Sequence, residues 1–312
     1  MEREKCSGEK RKNNMEKKFP KRILITGANS YIGVSFEKWM EKNPECYKID
    51  TLDMLDKNWD NTDFSQYDVV YHVAGIAHAD VGSVNEEEKK LYYKINTDLA
   101  INVAQKAKEA GVKQFIFMSS MIIYSGCKEK FITNQTMPNP LNFYGDSKWQ
   151  ADKKIRELES DDFKVVVLRP PMIYGRGSKG NYPQLAKLAE KLPVFPIVKN
   201  RRSMLYIDNL CEFVKLMIDN EENGVFFPQN KEYSNTSEMV REIAKIRGHR
   251  IFMLSGLSWA IRLLEKFPGK IGTLAAKAFG DSAYEMSMSE YKDNYRVCTL
   301  AESIHLTEGE NK

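Results

Sequence analysis

From residue 22 onward, short apolar runs alternate with longer amphipathic stretches, and this alternation limits the fold more than any other feature. Strands are expected at 23–26 (ILIT), 46–49, 68–74 (DVVYHVA), 114–118 (QFIFM) and 164–168 (KVVVL). Helices are expected between them at 32–42, 86–110 and 144–159. In 86–110 the apolar residues recur every three or four positions, and Gly111 supplies a stop. Strands that are apolar throughout and alternate with helices form a parallel sheet covered on both faces. The expected fold is therefore α/β, a doubly wound parallel sheet. Beyond residue 170 the alternation weakens and prolines cluster at 170, 171, 183, 193 and 196. That change marks a smaller second lobe over 171–202 and 248–312, with 203–247 partly returning to the sheet domain of 22–170.

Charge and cysteine usage narrow the function classes. The net charge is only +4, and residues 1–22 (MEREKCSGEKRKNNMEKKFPKR) hold most of the imbalance. With a single Phe among those charges, residues 1–21 read as a disordered basic tail and not as a nucleic-acid site. No apolar run approaches the roughly 20 residues that span a bilayer, and no apolar core of a signal peptide is present. The five cysteines are odd in number and widely spread, with no metal-binding spacing, so reduced thiols and a cytoplasmic location are expected. The segment 251–280 is apolar and amphipathic; a lid on its own domain is preferred to a membrane-surface contact.

The stretch ILITGANSYIG at 23–33 runs from a strand through a glycine turn into a helix. Helix N-terminal amides and the macrodipole favour an anion at such a place. Gly27 permits a tight turn, and Gly33 lets the helix approach the sheet. Ser30 stands where a middle glycine is usual, small enough for a pyrophosphate to approach and able to add a hydrogen bond. An acidic residue near the end of the second strand selects NAD by binding the ribose hydroxyls. Asp50 has the expected distance from Gly33; Asp53 is able to replace it. Three carboxylates (Asp50, Asp53, Asp56) without a nearby arginine would repel a 2′-phosphate.

Tyr144 and Lys148 lie one helical turn apart, on one face. A free phenol has a pKa of about 10; a neighbouring ammonium, together with a positive nicotinamide ring, would have to lower it by about three units for work near neutral pH. Ser119 and Ser120 end a strand and point to opposite faces.

Seven motifs occur in order: TGANSYIG at 26–33, HVAG at 72–75, Asn96, SSMIIY at 119–124, YGDSK at 144–148, LRPPMIYG at 168–175 and RSMLYIDN at 202–209. Through them the chain resembles the extended short-chain dehydrogenase/reductases, in particular the NAD-dependent epimerase/dehydratase family and its UDP-glucose and UDP-N-acetylglucosamine 4-epimerases. The resemblance implies a Rossmann-type domain with a C-terminal substrate lobe. It implies catalysis by Ser120, Tyr144 and Lys148, and NAD held by Gly27, Ser30, Tyr31, Ile32, Gly33, Asp50, Asp56, Ala74, Gly75, Asn96, Tyr144, Lys148 and Pro170. His72 becomes a structural residue beside the cofactor, and no metal is implied at His72 or His78. Substrate contacts fall on Ser120, Asn181 and Arg202, the last suited to a diphosphate by its two-pronged donor geometry. Met172 departs from the pattern, since many relatives place a diphosphate-binding asparagine there. Met121 and Ile122 replace the Asp–Glu pair of the sugar 4,6-dehydratases, which argues against dehydration.

The implied activity is C4 epimerisation of a UDP-hexose or UDP-N-acetylhexosamine through a 4-keto sugar, for surface polysaccharide precursors. The alternatives are a 4-ketoreductase of a nucleotide-linked deoxysugar and, from another class, a non-catalytic dinucleotide-binding scaffold or sensor. Relatives often pair the two long helices into a four-helix interface, so a homodimer is expected.

Overall fold

A computed structural model describes residues 20–77, 84–129, 131–256 and 279–309. The tail expected at 1–21 lies almost wholly outside these residues, as do His78 and most of the segment 251–280. In chain order the strands are β1 (Lys21–Thr26), β2 (Tyr47–Leu52), β3 (Val69–His72), β4 (Gln114–Met118), β5 (Phe131–Ile132), β6 (Lys164–Leu168), β7 (Met172–Tyr174), β8 (Val194–Pro196), β9 (Met204–Tyr206), β10 (Gly224–Phe226), β11 (Phe252–Leu254) and β12 (Ala283–Tyr284). The described helices are α1 (Tyr31–Met40), α2 (Glu86–Tyr93), α3 (Ala100–Glu109), α4 (Phe143–Arg156), α5 (Asn181–Lys191), α6 (Ile207–Asp219), α7 (Thr236–Ile246) and α8 (Leu300–Glu308).

Six strands form one parallel sheet in the order β2–β1–β3–β4–β6–β10. Strand alternation divides its side chains between two covered faces. Ile23, Ile25, Tyr71, Ile116, Val166 and Leu168 pack with α1 and α6, whereas Leu24, Val70, Phe115, Phe117, Val165 and Val167 pack with α3 and α4. The chain moves outward from β1 to β2 and then returns past β1 to β3. This order reverses between β1 and β3, and a crevice at the carboxyl ends of such a pair is where open α/β sheets bind ligands.

Local chemistry explains the boundaries. The ladder stops at Leu52 because Asp53, Asp56 and Asp63 each accept a backbone N–H two residues on, making successive turns. β3 ends at His72, not at residue 74, because the amides of Val73 and Ala74 both turn to the Thr26 carbonyl. The single helix expected over 86–110 is interrupted: a π-helical segment, Lys94–Leu99, joins α2 to α3. Asn85 and Glu88 cap α2 reciprocally.

The remaining strands form three parallel pairs, β7–β9, β8–β11 and β5–β12. Of 203–247, β10 joins the sheet edge and α6 packs on α1, while α7 packs on α5 and α8. Cys127, Cys211 and Cys298 carry free thiols, but Cys46 is disulfide-bonded, which corrects the expectation of five reduced cysteines.

Candidate active site

The glycine turn serves the fold first. Gly27 has φ +118°, and a Cβ there would stand 2.7 Å from the Ala74 amide nitrogen. The turns after β1 and β3 therefore cross backbone on backbone, and only glycine fits beneath the crossing. A Cβ at Gly33 would meet Ser30 Oγ at 2.8 Å and Ile25 Cγ2 at 3.2 Å, so α1 sits close on the sheet. Ser30 is the N-cap of α1: its hydroxyl oxygen accepts the Gly33 N–H at 3.1 Å. The oxygen expected to serve a pyrophosphate is thus already engaged, and its O–H remains available to donate. Tyr31 and Ile32 follow in the first turn; the buried Tyr31 hydroxyl has no hydrogen-bond partner among the described residues.

Across the crevice, Gly75 is exposed, and a Cβ on it would lie 3.0 Å from both Asn96 Oδ1 and Lys148 Nζ. Asn96 lies in the π-helical segment and is fully buried. It binds Ile76 through both backbone groups, at 2.8 and 3.0 Å, and donates to Ser147 Oγ at 3.2 Å. Its amide thus shapes the loop after β3, on which Gly75 lies. His72 bonds Thr26 Oγ1 through Nδ1 at 2.8 Å. Burial, and then Lys148, lower its pKa to about 3, so the ring is neutral.

Ser120, Tyr144 and Lys148 converge at the carboxyl end of β4. The Ser120 side chain lies close enough to the Tyr144 phenol to act on its pKa, and its oxygen accepts the Ile122 N–H at 3.2 Å. Lys148 Nζ donates to the Met118 carbonyl at 3.0 Å and lies 5.1 Å above the Phe117 ring. Burial lowers Lys148 to about 8. Tyr144 departs from expectation: burial pushes its pKa up to about 12, with Ser120 acting downward and Tyr92 upward. In the protein alone, desolvation of the phenolate outweighs the effect of Ser120. Ser119 faces the other way and donates to Asp152 Oδ2 at 2.8 Å. Pro170 closes the rim, its carbonyl accepting the Met121 N–H at 2.9 Å.

The acidic positions sort differently from the sequence expectation. Asp50 lies inside β2, paired with Leu24, and its carboxylate is 3.3 Å from the Arg22 guanidinium. It stands two residues short of the end of β2 and is paired with Arg22, whereas Asp53, the substitute the sequence offers, follows the strand directly. Asp53 is the first residue past Leu52, whose carbonyl accepts the N–H groups of Gly27 and Ala28. Arg22 also corrects the expectation that no arginine is nearby. The signal was present in strand alternation: Arg22 pairs with Lys48, which puts Asp50 on the diagonal. Asp56 is exposed in the next turn.

In the second lobe, Arg202 bridges Ser234 and Ser282 through its backbone and donates from Nη1 to the Gly280 carbonyl at 3.0 Å. The Ser282 hydroxyl lies 3.9 Å from Met121 Sδ, which brings the Arg202 segment beside the Ser120 turn. Asn181 opens α5 and is exposed. Among the described residues no group of three His, Cys, Asp or Glu side chains has metal-ligand geometry.

Comparison with known proteins matches this architecture. Residues 23–227 fit the family described as NAD dependent epimerase/dehydratase family. A UDP-glucose 4-epimerase of Vibrio cholerae is 32% identical over 282 residues, covering 82% of this chain and 84% of that protein. The N-acetyl-alpha-D-glucosaminyl-diphospho-ditrans,octacis-undecaprenol 4-epimerase of Escherichia coli O157:H7 is 27% identical over 251 residues, 73% of each chain. The crystal structure of UDP-glucuronic acid 4-epimerase from Bacillus cereus in complex with NAD superposes with a TM-score of 0.63 at 21% identity, covering 84% of this chain and 94% of that one.

Proposed function

Because the chain belongs to the NAD-dependent epimerase/dehydratase family, we propose that it inverts C4 of a UDP-hexose or UDP-N-acetylhexosamine through a 4-keto sugar, for surface polysaccharide precursors. The observation that carries this reading is the meeting of the Ser120 hydroxyl, the Tyr144 phenol and the Lys148 ammonium beside the exposed Gly75 floor. The 32% identity to a 4-epimerase over most of both chains supports it.

The residues at the switch point fit a dinucleotide. The first-turn amides of α1 face its pyrophosphate, with Ser30 O–H, Tyr31 and Ile32 alongside. Asp53 takes the ribose hydroxyls and Asp56 the adenine edge. Ala74, Gly75 and Pro170 give close backbone approach. Bound NAD supplies the hydride acceptor and donor at C4. Ser120 donates to the substrate O4 and holds it against Tyr144. Tyr144, protonated at pH 7 in the protein alone, would release its own proton to solvent when a positively charged cofactor binds; its phenolate then takes the 4-hydroxyl proton and returns it to the opposite alcohol. Lys148 retains its charge at pH 7, being lowered only to about 8, and stabilises the phenolate. Arg202, with Asn181 at the mouth, grips the diphosphate. The active unit is a homodimer paired through 86–110 and 144–159.

A second reading uses the same residues: reduction of a nucleotide-linked 4-keto deoxysugar with NAD(P)H. The structural likeness to a dTDP-4-dehydrorhamnose reductase of Bacillus anthracis in complex with NADP, with a TM-score of 0.62 at 21% identity, fits its fold. The two readings separate on incubation of the purified protein with UDP-glucose or UDP-N-acetylglucosamine and no added cofactor. Appearance of the C4 epimer is expected. Inactivity there, with stoichiometric NADPH consumption on a 4-keto sugar, would overturn the epimerase reading.

A further inference from the structure

On the buried face of α4, three polar side chains follow one another at one-turn spacing: Tyr144, Lys148 and Asp152. Each meets a different one of three consecutive residues at the exit of β4. Lys148 Nζ bonds the Met118 carbonyl at 3.0 Å, Asp152 Oδ2 accepts the Ser119 hydroxyl at 2.8 Å, and the Tyr144 phenol lies within reach of the Ser120 side chain, which acts on its pKa. The outer two of these contacts belong to the proposed catalytic set. The Ser119–Asp152 contact lies between them in the strand and touches neither cofactor cradle nor crevice.

Asp152 is fully buried and tied on its far side as well. Arg169, at the exit of β6, grips it with two prongs, Nε to Oδ2 at 2.9 Å and Nη2 to Oδ1 at 2.8 Å, and Arg156 Nε reaches Oδ1 at 3.0 Å. The third arm of Arg169 donates to the Tyr124 hydroxyl at 2.7 Å, at the end of the turn that Ser120 begins. The Arg169 carbonyl accepts the hydroxyl of Tyr284 from β12 at 2.9 Å. One buried carboxylate thus joins the exits of β4 and β6, the catalytic helix and a strand of the second lobe. A buried ion pair adds little net stability over apolar packing of the same volume. Its location under the site calls for a geometric reason.

We propose that Ser119, Asp152 and Arg169 are positioning residues that set the separation of Ser120 from Tyr144. This rests on the proposed roles of Ser120 and Tyr144. Tyr144 lies beside Ser120, faces Tyr92 from α2, and lies one turn from Lys148 on its own helix. Ser120 is the group that acts to lower its pKa, so a loosened β4 exit weakens that effect.

The test uses the full chain and C4 epimerisation of UDP-glucose. Ser119→Ala removes one hydrogen bond and leaves the Asp152–Arg169 pair whole. It is expected to lower kcat about tenfold, leave KM within about twofold, and move the acid limb of the kcat profile to higher pH. Ser119→Thr, which keeps the hydroxyl, is expected to recover most of the rate. Adding Ser119→Ala to Asp152→Asn is expected to cost nothing beyond Asp152→Asn, since both break one contact. If Asp152→Asn does not fold, the Ser119 pair of variants decides alone. Should Tyr144→Phe abolish turnover while Ser119→Ala keeps the wild-type kcat and pH profile, the positioning role is overturned and the catalytic reading stands. Should Tyr144→Phe turn over normally, the catalytic reading falls first.

Discussion

The carboxyl edge of the main sheet and the edge of the second lobe hold their functional side chains in opposite ways. At the first, Lys148, Tyr144 and Ser120 are fixed by a 14-residue helix and a five-residue strand, each buried on its inner face. At the second, Arg202 hangs on single bridges to Ser234 and Ser282 and on a bond to the Gly280 carbonyl. The paired strands around it are two or three residues long. Long regular elements resist displacement because many buried contacts must move together, whereas short bridges open locally at small cost. On the proposed function, the first edge suits the fixed geometry of proton transfer, and the second suits a large ligand whose binding energy lies far from C4.

That contrast breaks first at Tyr144. Tyr144→Phe removes only the hydroxyl from a residue packed edge-on to Tyr92 at 6.0 Å. The fold and NAD binding are expected to survive, while kcat falls by about two to four orders of magnitude, the usual scale of lost acid–base catalysis. Near-normal turnover would show that the rigid edge does not hold the base. Lys148→Met sharpens the same point. NAD binding is expected to weaken and the acid limb of kcat to move upward, because an ammonium that favours the phenolate has gone. Binding measured by fluorescence titration, beside a pH–rate profile, separates the two effects.

Arg202→Ala probes the other edge. A charge-assisted contact to phosphate contributes about 1.5–3 kcal/mol, so KM for a UDP-sugar is expected to rise about ten- to a hundredfold, at 1.4 kcal/mol per tenfold. kcat is expected to change less, because the grip is equal in ground and transition states. A loss confined to kcat would mean that the second lobe also takes part in the chemistry.

The sequence made the sheet edge legible because its signals are local. ILIT before Gly27, the one-turn spacing of Tyr144 and Lys148, and the alternation that turns Ser119 from Ser120 all act within a few residues. What it hid depends on distant partners. β5 at Phe131–Ile132 exists only because Ala283–Tyr284 lies beside it, and β8 only because β11 does. The Asp152–Arg169 pair joins a helix to a strand exit with no spacing to announce it. The raised pKa of Tyr144 in the protein alone is hidden from sequence for a related reason: counting charges along a helix omits desolvation, which is a property of the packed interior.

The smallest expected effect falls between the acidic residues of the first edge. The distance from Gly33 points to Asp50, and register places Asp50 opposite Leu24, inside the strand, with Arg22 3.3 Å away. That ion pair is partly exposed and contributes little stability. Asp50→Asn is expected to leave NAD affinity within about twofold, because the carboxylate lies short of the crevice. Asp53 is exposed and stands immediately past the Leu52 carbonyl that binds the Gly27 turn. Its oxygen Oδ1 accepts the Leu55 N–H at 2.9 Å, which fixes the turn and leaves Oδ2 for a ribose hydroxyl. Asp53→Asn keeps an acceptor at Oδ1 and so preserves the turn, but replaces one charged hydrogen bond by a neutral one. Hydrogen bonds to a charged group contribute about 1.5–3 kcal/mol and neutral ones about 0.5–1.5. The difference, about 1 kcal/mol, is roughly a fivefold loss of NAD affinity, and discrimination against NADP is expected to fall as the charge that repels a 2′-phosphate disappears. Titration of the emptied protein with NAD and NADP decides it. A larger loss at Asp50 than at Asp53 would return the ribose to the interior of β2 and show that the Arg22 pair yields to the cofactor.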